Sequence, residues 1–247
     1  MSTYIGIFDS GLGGLHVLQQ IVKKLPRYDY LAYSDTANLP YGTKSPAQIY
    51  KLVTKALHYL FEHDCALVIL ACNTASAQAL RKIQKQWLPK HFPDRRVLGI
   101  VIPTIEHVEK HKGKHIGILA TPSTIRSKVF QTEIKTRFPG TQVTGIPTFK
   151  LVLAVESKKP KFIQSTLQTL QQKFSGIDIL ILACTHFGII AKQIQRVIPP
   201  GVKVIVPANA LPAQLAAYLK RHPEIERRLS KNRKRTFVRT KKEKPRV

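Results

Sequence analysis

The chain is 247 residues long, 43% hydrophobic and 22% charged, the balance of a soluble globular protein with room for one large core or two small ones. No apolar run approaches the roughly 20 residues needed to span a bilayer, so membrane insertion is not expected. Forty Lys and Arg against 14 Asp and Glu give a net charge of +26, which points to anionic ligands or surfaces.

The N-terminal residues reach Asp9 without a basic, signal-like start. The three cysteines, odd in number and widely spaced, predict reduced thiols and a cytoplasmic protein; without C-x₂-C pairs no zinc site is expected. The first apolar segment, IGIFDS at residues 5–10, reads as a buried strand ending in Asp9 and Ser10. FDSGLGG, residues 8–14, then opens a helix. Its glycine spacing is not a dinucleotide fingerprint, but it lets the backbone approach a small ligand while Asp9 and Ser10 bind polar groups. A strand at 30–34 ends at Asp35. Pro40, Tyr41 and Gly42 read as a rigid turn whose backbone N–H groups suit a carboxylate, or as an ordinary surface turn. Ser45 and Pro46 supply an N-cap and a first-turn proline for a helix reaching residue 63, with Ile49, Leu52, Val53, Ala56, Leu57 and Leu60 at helical spacing.

LVILACNT at 67–74 carries Cys72 at a strand end and leads to a helix over 78–87. It is echoed by ILILACTH at 179–186, with Cys184 in the same place, and IGIFDS is echoed by IGILAT at 116–121. The two echoes share nearly one offset, which predicts two copies of an α/β unit of about 110 residues. Further strands are expected at 97–100, 143–147 and 202–206, and helices at 161–174, 189–197 and 210–219. Apolar, β-branched strands alternating with helices predict an α/β fold: two pseudo-symmetric doubly wound domains, each with a mainly parallel sheet, and an active site between them. The first domain is expected to comprise 1–98 plus a return over 209–247, and the second 99–208. From Glu226 onward there are 11 basic and 2 acidic residues, which read as a solvated, frayed tail or as a contact for nucleic acid or another anionic surface.

In open α/β sheets ligands bind beyond the carboxyl ends of the strands. Here those ends carry Asp9, Ser10, Asp35, Cys72, Asn73, Thr74, Thr121, Cys184, Thr185 and His186. If the copies face each other, Cys72 and Cys184 approach one small ligand from opposite sides. That arrangement suits inversion of an α-carbon, in which one proton leaves one face while another arrives on the opposite face. A free thiol has a pKa of about 8.5, near enough to neutrality for either role, and the helix N-terminus after each cysteine lowers it. A buried cysteine is otherwise a small hydrophobe, the reading given to Cys65, and a redox disulfide is the other alternative. His186 is placed to assist Cys184, and Glu156 to orient the imidazole, unless Glu156 is a surface residue at a strand end.

FDSGLGG, DTANLPYG at 35–42, ACNTAS at 71–76 and ACTH at 183–186 together resemble the glutamate racemases of the cofactor-independent aspartate/glutamate racemase superfamily, over positions 5 to about 210. The resemblance implies interconversion of L- and D-glutamate for peptidoglycan precursors in the cytoplasm, with no cofactor and no metal. It implies that Cys72 is the base acting on D-glutamate and Cys184 the base acting on L-glutamate, with Asp9, His186 and Glu156 assisting. Asp9, Ser10, Tyr41, Gly42, Asn73, Thr74, Thr121, Thr185 and His186 would contact the substrate. Expected partners beyond L- and D-glutamate are a second copy of the chain and a weak nucleic-acid or gyrase contact through the basic tail. Three residues around the second cysteine depart from the pattern: Ala183, Phe187 and Gly188 stand where the family usually has Gly, Tyr and Pro. The alternatives are a racemase of another acidic amino acid such as aspartate, or a basic nucleic-acid- or gyrase-binding protein on a racemase scaffold. Thr185 and His186 directly after the second cysteine favour glutamate.

Overall fold

The computed structural model describes residues 3–109, 111 and 113–241; Met1, Ser2 and the last six residues of the basic tail lie outside them. Strands β1 (Tyr4–Asp9), β2 (Tyr30–Ser34), β3 (Cys65–Leu70) and β4 (Arg96–Gly99) precede β5 (His115–Ala120), β6 (Gln142–Pro147), β7 (Ile179–Ala183), β8 (Lys203–Ile205) and β9 (Arg235–Arg239). They form two sheets, in the orders β4-β3-β1-β2-β9 and β6-β5-β7-β8. Every pairing is parallel. The central strands β3 and β7 are buried along their whole length, because helices cover both faces, and this is why their sequences are unbroken apolar runs.

The internal echo is a structural repeat. Read from its other edge, the second sheet runs β8-β7-β5-β6, the order of β4-β3-β1-β2 in the first. Register follows as well: Ile5 pairs with Leu67, and their echoes Ile116 and Ile179 pair with each other. Equivalent registers place the residues after β3 and β7 at equivalent points of the two sheets, and Cys72 and Cys184 are those residues.

Four apolar clusters fill the sheet faces. On the first sheet, helix α1 (Gly13–Lys24) buries Val17 and Ile21 beside Leu211, Leu215 and Leu219 of the helix Pro207–Arg221. Helix α2 (Pro46–Glu62) covers the opposite face with Ile49, Val53, Leu57 and Leu60. It starts as expected: Ser45 Oγ accepts the Gln48 N–H at 3.3 Å, and Gln48 Oε1 accepts the Ser45 N–H at 2.9 Å, a reciprocal cap ahead of Pro46.

Several expectations need correction. Helix α3 (Asn73–Lys82) begins directly after Cys72, five residues before the predicted start, and runs on through a π-turn over Ile83–Trp87. The helix expected at 189–197 is two short ones, Thr185–Ile189 and Ala191–Gln195, parted where Ile190 turns its buried side chain into the core at φ −107° and ψ 21°. Glu156 ends a helix, Lys150–Glu156, and not a strand. Thr148 Oγ1, just ahead of it, accepts the Leu151 N–H at 3.3 Å, and the apolar run before Glu156 is a helix face.

The frayed-tail expectation fails over the described part of the tail. Asp29 Oδ1 accepts the N–H groups of Asn232 and Lys234, both at 2.9 Å, and turns the chain into β9 alongside β2. The Arg235 guanidinium lies 4.9 Å from the Tyr30 ring centroid and donates to Tyr28 O and Pro26 O, both at 2.6 Å. Val238 packs on the α2 side of the sheet. Among the described residues no helix is long and apolar enough to cross a membrane.

Candidate active site

The strand ends of the two sheets meet around one small cavity. Ser10, Tyr41, Gly42, Cys72, Asn73, Thr74, Thr121, Cys184, Thr185 and His186 line it, together with Leu39, Pro40, Phe149 and Val152. Every residue expected to touch substrate is therefore at the cavity wall except Asp9. Asp9 lies directly behind it, with Oδ2 accepting the Gly11 N–H at 2.9 Å and Oδ1 accepting the Thr185 hydroxyl at 3.1 Å. Burial raises the Asp9 pKa above the usual carboxylate value, although the charge of His186 opposes it. Gly13 makes the approach of the two halves feasible, since a Cβ there would overlap the Thr185 side chain.

On the first-sheet side, Cys72 is the N-cap residue of α3 and its Sγ lies 3.4 Å from Ser10 Oγ. A helix N-terminus by itself eases a thiol toward ionisation. Burial overrides that: with Asp9 nearby, it pushes Cys72 up to about 12, although Ser10 and a backbone N–H pull the other way. Beside it Asn73 is only 2% exposed, yet neither Nδ2 nor Oδ1 has a hydrogen-bond partner among the described residues. A buried carboxamide with both ends free loses the solvation of each, so it is a ready partner for a polar ligand.

On the second-sheet side, His186 Nδ1 lies 3.7 Å from Cys184 Sγ and Nε2 lies 2.5 Å from Glu156 Oε1. Burial pulls the imidazole's pKa down, but the hydrogen bonds to Cys184 and Glu156 and the charges around it win, pushing it up to about 10. The same hydrogen bond to His186 holds Glu156 below the usual carboxylate range. Between the halves, the hydroxyls of Thr74, Thr121 and Thr124 form a triangle with sides of 2.9–3.0 Å. Thr121 also caps its own short helix by accepting the Thr124 N–H at 3.2 Å.

Thr124, Phe149 and Val152 were not expected at the site. The T-x-x-T capping spacing from Thr121 marks Thr124 in retrospect. Nothing in an apolar helical run distinguishes Phe149 or Val152 from core. Among the described residues no group of three or more His, Cys, Asp or Glu is placed to hold a metal ion.

The profile of the Asp/Glu/Hydantoin racemase family matches residues 5–215. A glutamate racemase of Dinoroseobacter shibae is 37% identical over 236 residues, covering 90% of this chain and 85% of that protein. Among solved structures, a glutamate racemase isoform of Bacillus anthracis superposes with a TM-score of 0.85 at 26% identity, covering 96% of this chain and 87% of its own. The glutamate racemase of Francisella tularensis, solved in complex with D-glutamate, gives a TM-score of 0.83 at 28% identity, over 97% of this chain and 89% of its own. The chain belongs to the Asp/Glu/Hydantoin racemase family.

Proposed function

We propose that this chain interconverts L- and D-glutamate by proton transfer between two thiols, and so supplies D-glutamate for peptidoglycan. One observation carries the reading: Cys72 and Cys184 follow equivalent strands in equivalent register and line a single cavity. In the direction from L-glutamate, the Cys184 thiolate takes the α-proton, with the His186 imidazolium beside its sulfur. The Cys72 thiol delivers a proton to the opposite face of the carbanion, leaving D-glutamate and a Cys72 thiolate. The reverse direction starts from that thiolate. The high pKa of Cys72 fits its part as proton donor at rest.

The free ends of Asn73, the hydroxyls of Ser10, Thr74, Thr121 and Thr185, and the backbone at Tyr41 and Gly42 are the contacts available to the substrate's carboxylates and ammonium group. Asp9 and Glu156 stand behind this wall. Asp9 holds Thr185, and Glu156 holds His186 in the orientation that aims Nδ1 at Cys184. The free, buried state of all three cysteines supports a reducing cytoplasmic setting.

The test is turnover of each glutamate enantiomer in D₂O by the wild type, Cys72→Ser and Cys184→Ser. The wild type should wash deuterium into the α-position during racemisation, and each variant should lose racemisation by orders of magnitude. Near-full racemisation by either variant would overturn the two-thiol assignment, and faster conversion of aspartate would overturn the substrate.

One observation favours an additional contact with an anionic chain such as nucleic acid. Arg235, Phe237 and Arg239 are the exposed residues of edge strand β9, with Phe237 46% exposed between the two arginines. Binding of a single-stranded oligonucleotide that weakens steeply with salt would support it, and salt-independent affinity would refute it.

A further inference from the structure

The loop at residues 35–43 brings Tyr41 and Gly42 to the cavity, and it is held from behind by the far end of the chain. Asp35, 3% exposed, is the hub of that attachment. Its Oδ2 accepts the Tyr41 hydroxyl at 2.6 Å, the Asn38 amide donates to Oδ1 and Oδ2 at 2.9 and 3.1 Å, and the Thr240 hydroxyl donates to Oδ1 at 2.9 Å. The same Thr240 oxygen accepts the Ala37 N–H at 2.9 Å. Thr240 is itself fixed by the strand: its N–H reaches Ser34 O at 3.0 Å, and its carbonyl accepts the Thr36 hydroxyl at 2.6 Å. Arg239 Nε adds a bond to Thr36 Oγ1 at 3.0 Å. On the cavity side the loop has little slack, because a Cβ at Gly42 would lie 2.8 Å from Thr121 Cβ.

We propose that Thr240 is a positioning residue for the substrate loop: its hydroxyl fixes Asp35 and the Ala37 amide, and Asp35 in turn fixes Tyr41 against the cavity. The inference rests on the reading of Tyr41 and Gly42 as substrate contacts. The hydroxyl is the part that matters. A valine would keep the shape and the strand pairing, yet leave a buried carboxylate oxygen and the Ala37 N–H each short of a partner. The loop would then relax, and the substrate contacts it carries would weaken before any reacting group moved.

The experiment compares Thr240→Val with Thr240→Ser, using steady-state racemisation and hydrogen exchange over residues 36–43, with thermal melting to confirm folding. Thr240→Val should lower kcat/KM about tenfold, carried by KM, with kcat within about twofold of wild type. Its loop amides should exchange faster. Thr240→Ser should match the wild type in both. Asp35→Asn should give the same KM-directed loss, and adding Thr240→Val to it should change little, since the two act on one link. Wild-type KM and exchange in Thr240→Val, or equal damage in Val and Ser variants, would overturn the proposal. The exchange measurement needs no substrate, so it separates the two readings. A wild type that does not racemise glutamate while exchange still follows the hydroxyl refutes the site reading and sustains the loop inference.

Discussion

At the scale of residues, the two sulfurs occupy equivalent strand ends but unlike surroundings. Cys72 faces a hydroxyl and lies within reach of Asp9's charge, whereas Cys184 faces an imidazole whose other nitrogen is held by Glu156. The pH dependence follows. The folded pKa of His186 is raised from 6.5 to about 10, so the stability tied to its proton is fully present below about 6.5 and is lost as pH rises through about 10. Turnover from L-glutamate should fall along the same alkaline limb. In Glu156→Gln that limb should move to lower pH and kcat/KM should drop about tenfold, equally for both enantiomers because their equilibrium constant is one; pH profiles of both directions measure it. An unmoved limb would show that Glu156 does not govern the imidazole. The polar half of this site was legible, because Asp9, Cys72, Cys184 and His186 stand where apolar strands stop. The ionisation state of Cys72 was not, since burial depends on how closely the halves close and no local motif encodes that.

Among elements, the start of α1 makes a close contact between the halves at Gly13 and Thr185. Gly13→Ala must push α1 away from Thr185, and overpacking of this kind destabilises by roughly 1–3 kcal/mol. We expect that loss in urea unfolding, together with a fall in kcat out of proportion to it, because the Asp9–Thr185 hydrogen bond lies at the same contact. A variant with wild-type kcat would separate the α1 contact from catalysis. The repeat was readable since buried parallel strands carry an unbroken apolar signature, and two copies of it with one offset leave little freedom. Strand β9 was not. In RTFVR the outward positions are Arg, Phe and Arg, and only Thr236 and Val238 turn partly inward, so an edge strand carries the composition of a tail. The helix ending at Glu156 was obscured for the opposite reason, its buried face being apolar enough to resemble a strand.

Across the whole molecule, a net charge of +26 surrounds a cavity proposed for a small anion. Long-range attraction should raise the capture rate of glutamate, and it is screened as the Debye length shrinks from about 10 Å at 0.1 M salt to about 3 Å at 1 M. The expected outcome is a kcat/KM that falls with ionic strength while kcat stays constant; a flat kcat/KM would assign the charge to some other partner. The division proposed from the sequence, 1–98 with 209–247 around a middle unit of 99–208, cuts β4 (Arg96–Gly99) and the helix Pro207–Arg221 near their ends; β9 lies in the first sheet, and that helix packs on α1. That arrangement also sets an order of events during synthesis. Strand β2 receives its outer neighbour from residues 235–239, made some two hundred residues later, with the entire second sheet translated in between. A nascent chain therefore carries an open strand edge at Tyr30–Ser34, the kind of template that recruits stray strands, until residues 235–239 are made and free to pair. Completion of the first sheet, and anchorage of the loop that Thr240 holds, wait for that strand.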